Sequence, residues 1–460
     1  MVNRNHNLFI LINLNKESEF TSMDIVIVGG GAAGMSAASK ARRMDSSARI
    51  TVIEKTGYVS YAECGMPYYL AGYFQDFNDL LHYPVKEFTE HRGINVITNS
   101  TVTSIKPGKK YIDTDNKSYK YDKLVLATGA IPNIPDEFRE YGTSLRNMES
   151  AISMNSELSG ISDVTVIGAG VLGTELFSLL SKKYHVKLIS KHEYLLPHLD
   201  PDMGNVLNSL VKENNKDIEY NSVPLSISKI QGKYKINTTI GSFYSDYVIF
   251  ATGIKPSVDL AEKAGIELTN DRLIKTNEYL QTSDPDIYAG GDNVATKNHI
   301  TGYYGYYPLA QVANKMGRTI GINIYGNKRR FPGALGTTII NVFGYQVGYT
   351  GINTATARKL GINFDSVFIK AKDKSDYLHG SDVYIKIIFE KESGRLLGSQ
   401  IIGKENSAWR LNVMATILYS NMTLYDTLYN DMGYEPEYGP VWDPIIIAAS
   451  LGLDKMDDHV

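Results

Sequence analysis

Two glycine-rich turns of the same design, two strands that close in Ala-Thr-Gly and a change of texture after residue 330 predict an α/β protein. Two Rossmann-like dinucleotide-binding domains are followed by a C-terminal α+β domain. The first turn stands in Ile25-Val26-Ile27-Val28-Gly29-Gly30-Gly31-Ala32-Ala33-Gly34 and the second in Val164-Thr165-Val166-Ile167-Gly168-Ala169-Gly170-Val171-Leu172-Gly173. Each is an apolar strand, a G-x-G-x-x-G turn and the small-residue start of a helix. A further apolar strand follows at the spacing of such a unit, over 49–54 and 185–190, and the strands ending in Ala127-Thr128-Gly129 and Ala251-Thr252-Gly253 each close one unit. From about residue 331 the sequence alternates as strands do, for example over 384–389, and residues 407–419 read as an amphipathic helix. The expected division is an N-terminal extension over 1–22, a first nucleotide unit over 23–145 that resumes over 271–330, a second over 146–270 and the α+β domain over 331–460.

The chain has 460 residues, room for about three domains at roughly 150 residues each. Lysine plus arginine number 47 against 50 aspartate plus glutamate, a net charge of −3. There is no basic excess to track a phosphate backbone, so nucleic acid is not an expected partner. Cys64 is the single cysteine, which excludes an intramolecular disulfide and a thiolate-built zinc or iron–sulfur site and fits a reducing, cytoplasmic setting. The apolar stretch over 7–14 is far shorter than the roughly 20 residues that span a bilayer. Lys16, Glu17 and Glu19 follow it where a signal peptide carries small residues. No membrane association is expected, and Met23 is a candidate start of translation.

In the first turn Gly29 permits the tight bend, Gly31 lets the backbone approach a pyrophosphate and Gly34 brings helix close to strand, while the helix N-terminus favours negative charge. Glu54, followed by Lys55, stands where an acid accepts the ribose hydroxyls of an adenosine. In the second turn Gly168, Gly170 and Gly173 repeat the logic, but the acid is missing. Ser190-Lys191-His192 removes a charge that would repel a 2′-phosphate and offers it two cationic partners, which favours NADPH over NADH. Ala289-Gly290-Gly291-Asp292 ends a strand in glycines and an acid able to bond a ribityl hydroxyl. Together the three motifs point to one flavin site and one nicotinamide site. Cys64 stands in Ser60-Tyr61-Ala62-Glu63-Cys64-Gly65-Met66-Pro67-Tyr68-Tyr69. The residues after it open a helix whose positive end is expected to lower the thiol pKa, with Glu63 pulling the other way.

With Pro308-Leu309-Ala310, Ala313-Asn314-Lys315 and Tyr434-Glu435-Pro436-Glu437-Tyr438-Gly439-Pro440-Val441-Trp442-Asp443-Pro444, these segments make the chain resemble the pyridine nucleotide-disulfide oxidoreductase superfamily over about residues 23–455. Within it, the chain is similar to the single-cysteine branch of coenzyme A-disulfide reductases, NADH oxidases and NADH peroxidases. The resemblance implies FAD in the first unit, against Gly29, Gly31, Ala32, Ala33, Gly34, Glu54 and Lys55, the closing Ala127, Thr128 and Gly129, and Gly291, Asp292, Leu309 and Ala310. It implies a nicotinamide cofactor in the second, against Gly168, Gly170, Val171, Leu172, Gly173, Ser190, Lys191, His192 and Gly253. It further implies that the C-terminal domain forms a homodimer in which each chain completes the other's active site. The C-x-x-x-x-C pair and C-terminal histidine of glutathione-reductase-like branches are absent.

Oxidases and peroxidases of the branch commonly place a histidine inside the first glycine turn. Ala32 stands there, so the chain looks more like a coenzyme A-disulfide reductase. Cys64 is then the redox-active thiol, oriented by Ser60. Tyr434 and Tyr377 match the partner-chain tyrosines aimed at the disulfide, although Tyr377-Leu378-His379-Gly380 departs from the tyrosine–proline–glycine expected there, and Glu63 replaces a common asparagine. Arg42 and Arg43 on the first helix are candidates for the coenzyme A phosphates. The expected activity is reduction of coenzyme A disulfide, or a related disulfide or persulfide, by NADPH, with NADH left open. The rivals are an NAD(P)H oxidase cycling Cys64 through a sulfenic acid and a flavoprotein that signals to a protein partner without turnover.

Overall fold

The computed structural model describes residues 22–213 and 217–457; the expected extension over 1–22, Ser22 apart, lies outside the described residues. β1 (Asp24–Val28), β2 (Arg49–Ile53) and β3 (Ile94–Ile97) form a parallel sheet with strands Lys123–Leu126 and Ile287–Ala289. The spatial order is Ile287–Ala289, Lys123–Leu126, β1, β2, β3. Ile25, Val26, Ile27 and Val28 are all buried, as a central strand covered on both faces requires. The strand order reverses at β1, so the crevice for a ligand opens at the carboxyl ends, beside the first glycine turn.

That turn leads into α1 (Ala32–Met44), whose Ala33, Ala37, Ala38 and Ala41 are buried. After β2 the chain makes a tight turn over Glu63–Gly65 and a short helix, α2 (Met66–Leu70). Asn147 and Ser150 form a capping box that starts α3 (Met148–Glu157), the passage into the second unit. There strands Asp217–Glu219, His185–Ile189, Asp163–Ile167 and Tyr247–Phe250 lie parallel in that order, and the second glycine turn leads into α4 (Val171–Leu180). The two units repeat further. Each sends out a three-stranded antiparallel sheet before its closing strand. The short strands after the closures, Ala130–Pro132 and Ile254–Pro256, pair with one another and join the units.

The chain returns to the first unit through strand Ile287–Ala289 and helix Ala310–Asn323, which lies against α1. Gly317 and Gly321, one turn apart, allow the approach: a Cβ on Gly317 would strike the carbonyl oxygen of Ala33, and one on Gly321 would lie 2.6 Å from that of Ala37. The C-terminal unit is a five-stranded antiparallel sheet, in the order Thr338–Val342, Tyr345–Gly351, Leu396–Gly403, Asp382–Glu390, Phe364–Lys372. Helices Ser407–Tyr419 and Pro444–Asp457 share a core with it. Among the described residues no helix is long and apolar enough to cross a membrane.

The tight crossing sets a stability test. Gly317→Ala forces a side chain against a backbone carbonyl and is expected to destabilise the protein by about 1–3 kcal/mol. Gly108→Ala, which meets nothing within 4 Å, should melt like the parent. Thermal unfolding of the two variants measures the difference.

Candidate active site

The two glycine turns and the C-terminal sheet surround one continuous cavity of about 2120 Å³. Its first lobe is built by β1 and β2 ending side by side. Gly29 adopts φ +104°, and a Cβ there would strike the carbonyl oxygen of Ala127, while one on Gly34 would strike that of Gly29. Packing therefore takes up the first and third glycines. A Cβ on Gly31 would meet only Glu63 Oε1, at 3.6 Å, so its backbone stays open to the cavity. Glu54 Oε2 accepts the Gly30 N–H at 2.7 Å and Oε1 accepts from the backbone and hydroxyl of Thr56 at 2.9 and 2.8 Å, which fixes the carboxylate beside the turn.

Lys55, Ala32, Ala33, Ala127, Thr128, Gly129, Gly291, Asp292, Leu309 and Ala310 also border the cavity. Thr128 donates to Ser257 O at 2.6 Å and accepts from Asn293 Nδ2 at 2.9 Å, so its hydroxyl is already spent on structure. Tyr306 lines the same lobe and its buried hydroxyl has no partner; burial, then the charge of Asp292, raises its pKa. A side-chain-free backbone turn, a fixed acid and an unsatisfied hydroxyl fit a flavin dinucleotide.

The second lobe repeats the design. Cβ atoms on Gly168 and Gly173 would strike the carbonyl oxygens of Ala251 and Gly168, whereas one on Gly170 would meet nothing within 4 Å. Val171, Leu172, Lys191, His192 and Gly253 line it. Ser190 does not: it is buried, and its hydroxyl accepts from His192 N at 3.1 Å and donates to His192 O at 3.0 Å. This corrects the direct contact expected of Ser190, which shapes the loop instead. Burial, then Lys191, depresses the His192 pKa, so at neutral pH the positive charge here rests on Lys191.

Cys64 occupies the Glu63–Gly65 turn and opens into the cavity beside Ser60. Ser60 holds a left-handed backbone at φ +53°. Its N–H donates to Gly30 O at 3.1 Å and its carbonyl accepts from His82 N at 3.0 Å, which ties the cysteine segment to the first glycine turn. The expectation of a lowered thiol pKa is overturned. Desolvation by the cavity wall, then the charges of Glu175, Glu63 and Asp292, raises it. α2 has only five residues, too short to develop an opposing dipole.

Glu63 is itself raised by burial, with Arg146 opposing. Arg146 Nη1 lies 3.2 Å from Glu63 Oε2, Nη2 lies 3.7 Å from Asp292 Oδ2, and Nε donates to Ala130 O at 2.7 Å. This guanidinium compensates a carboxylate that an asparagine would not bring.

The two candidate arginines separate. Arg43 borders the cavity, whereas the Arg42 guanidinium donates to Ser46 O and Gly93 O, each at 2.6 Å, and to Asp45 O at 3.4 Å. Arg42 closes the end of α1 and is not free for a phosphate, a correction to the expected pair. Tyr377 and Tyr434 lie outside their own chain's cavity, 71% and 52% exposed. Two cavity residues went unremarked in the sequence. His198 stacks on Tyr349 with ring centroids 5.5 Å apart. Glu175 on α4 also borders the cavity, and burial pushes its pKa up to about 7.

Residues 23–317 match the model of the pyridine nucleotide-disulphide oxidoreductase family, and residues 338–444 that of its dimerisation domain. The chain belongs to this family. As a pyridine nucleotide-disulphide oxidoreductase it uses FAD and a pyridine nucleotide, and its C-terminal unit is a dimerisation domain. It is 35% identical over 437 residues to the NAD(P)H sulfur oxidoreductase (CoA-dependent) of Pyrococcus abyssi, covering 93% of this chain and 97% of the relative. It is 32% identical to the NADH oxidase of Methanocaldococcus jannaschii, covering 95% and 100%. The solved NAD-dependent persulfide reductase of A. fulgidus superposes with a TM-score of 0.91 at 33% identity, covering 95% of this chain and 84% of that one.

The charges around Cys64 set a titration test. In the range where the thiol ionises, Glu63 is a carboxylate held by Arg146, and its negative charge opposes the thiolate. Glu63→Gln is therefore expected to move the midpoint of iodoacetamide alkylation of Cys64 to lower pH. An unmoved midpoint would show that this charge does not reach the sulfur.

Proposed function

We propose that the protein is an NAD(P)H-dependent flavoenzyme that reduces coenzyme A disulfide, or a related disulfide or persulfide, through Cys64. The observation that carries this reading is the single cysteine opening into the cavity shared by both nucleotide lobes, with alanine rather than histidine at position 32. The sulfur oxidoreductase and persulfide reductase named among the relatives support it. FAD against Gly31, Glu54, Asp292 and Leu309 supplies the two-electron relay between pyridine nucleotide and sulfur.

The Cys64 thiolate attacks one sulfur of the disulfide; the S–S bond breaks, one coenzyme A leaves as thiolate and a mixed disulfide to Cys64 forms. The hydride equivalent of NAD(P)H then regenerates the Cys64 thiolate and releases the second coenzyme A as thiol, and a solvent proton neutralises the first. Arg43 meets a coenzyme A phosphate. Tyr377 and Tyr434, turned away from their own cavity, act on the cavity of a second copy in a homodimer, where a hydroxyl donates to the leaving sulfur.

Purified protein is expected to oxidise NADPH anaerobically with coenzyme A disulfide and to consume little without it. Cys64→Ser should abolish that turnover and keep FAD. Rapid aerobic consumption without a disulfide would replace this reading by the oxidase one, which the Methanocaldococcus relative favours. Nicotinamide preference rests on Lys191. Its replacement by alanine removes a charge-assisted contact and should raise the KM for NADPH about tenfold while sparing NADH; equal effects on both would place Lys191 off the 2′-phosphate.

A further inference from the structure

Tyr377 and Tyr434 stand on two stretches of chain that are far apart in sequence and meet at one side chain. Tyr377 is at the tip of the hairpin between strands Phe364–Lys372 and Asp382–Glu390. Asp373 closes the base of that hairpin: its N–H donates to Ser381 O at 2.9 Å, and its Oδ1 accepts from Ser381 N at 2.7 Å. Tyr434 lies in residues 429–443, which form neither helix nor strand. Within that segment Tyr438 N and Gly439 N donate to Glu435 O at 2.9 and 3.0 Å. Such turns shape the segment locally and do not fix where it lies.

The start of helix Ser407–Tyr419 meets both stretches. Glu405 pairs with Lys374 of the hairpin at 2.9 Å, and Asn406 Nδ2 donates to Tyr438 O at 3.3 Å. Arg410, which is buried, reaches both. Its Nη2 donates to Asp373 O at 2.9 Å and its Nε to Asp443 Oδ2 at 2.8 Å. Gly439 packs over the same guanidinium: a Cβ there would lie 3.1 Å from Nη2, 3.6 Å from Asp443 Oδ2 and 4.0 Å from Asp373 O. Asp443 Oδ1 accepts from Ile445 N at 2.9 Å, which ties the end of the Tyr434 segment to the start of helix Pro444–Asp457.

A guanidinium is planar and its donors point in fixed directions, so two acceptors bonded to it are held at a set separation. Because the group is buried, drawing either stretch away would strand a charge without its partner. Arg410 does not border the cavity, so whatever it does for the reaction passes through the stretches it holds. We propose that Arg410 is a positioning residue: it fastens the Tyr377 hairpin and the Tyr434 segment to one point, so that both hydroxyls are presented to the second copy's cavity as a fixed pair. The inference rests on the reading of these tyrosines as donors to the leaving sulfur.

The test uses the FAD-loaded dimer and two conservative changes. Arg410→Lys keeps the charge and loses the fork; Asp443→Asn keeps an acceptor for Ile445 N and loses the ion pair. Backbone hydrogen exchange is expected to rise about tenfold in Arg410→Lys, the loss of a charge-assisted bond, over 373–381 and 430–443 together. In Asp443→Asn it should rise over 430–443 alone. Strand Leu396–Gly403 should exchange as in the parent. Arg410→Lys is further expected to lower kcat for coenzyme A disulfide about tenfold, with the KM for NADPH and the rate of flavin reduction by NADPH unchanged. Added to Tyr377→Phe/Tyr434→Phe, it should cost nothing more.

Unchanged exchange in either stretch of Arg410→Lys would overturn the proposal. So would a full additional loss in the triple variant, which would make the residue a general stabiliser, or dissociation of Arg410→Lys into monomers, which would place it in assembly. If the two phenylalanines cost nothing, the donor reading falls and the positioning role with it, even where exchange shows the fastening. Costly phenylalanines with an additive Arg410→Lys leave the donor reading standing and sink this inference alone.

Discussion

The backbone of each glycine turn must reach an anion with no side chain between, and the rest of the molecule is arranged around that requirement. The first and third glycines of each turn press on carbonyl oxygens of the strand and turn beside them, Ala127 and Gly29 in one unit, Ala251 and Gly168 in the other. This contact fixes where α1 and α4 begin, and so where their N-terminal N–H groups point. The closing Ala-Thr-Gly strands supply the carbonyls that the turns lean on, which explains why the duplication includes them. Gly317 and Gly321 do the same work one layer out, letting helix Ala310–Asn323 approach α1 and bring Asp292 and Leu309 back to a cavity begun nearly three hundred residues earlier.

Charge is the second constraint. Glu54, Glu63, Asp292 and Glu175 all border the cavity, and Arg146 is the cation paired with two of them. Burial, then the carboxylates of Glu175, Glu63 and Asp292, opposes ionisation of the Cys64 thiol. Under the proposed disulfide chemistry, such a setting spares the sulfur from adventitious oxidants, which attack the thiolate. Arg146 sits at the hinge of this arrangement because it bonds Ala130 O as well, joining the charge balance to the strand pair that connects the two nucleotide units.

Both glycine turns, the two closures and helix Ser407–Tyr419 were legible in the sequence because each is local: turn chemistry and periodicity act over a few residues. What the sequence misread depends on distant partners. Arg42 and Arg43 are neighbours on one helix, yet the carbonyl of Gly93, from another part of the chain, takes the first and leaves the second to the cavity. Ser190 reads as a phosphate neighbour and instead bonds its own loop. The Cys64 thiol is pushed up first by burial and then by charges that include Glu175 and Asp292, more than a hundred residues away, against a helix dipole that a five-residue helix does not develop. Glu175 carried no signal beyond its place two residues after the third glycine of the second turn.

The outward-facing tyrosines connect architecture with chemistry. Tyr377, Tyr434 and Tyr438 are exposed on the dimerisation domain together with Trp409, Val441 and Trp442. The segments around them follow the same chain that builds the cavity, yet neither Tyr377 nor Tyr434 borders it. Under the proposed reading of Tyr377 and Tyr434 as proton donors to a second copy's cavity, assembly is a condition of turnover: the residues that close the site arrive only when a second surface is buried. Stability of the assembly and competence of Cys64 are then set by the same interface, and a substitution that loosens it weakens catalysis without touching either nucleotide lobe.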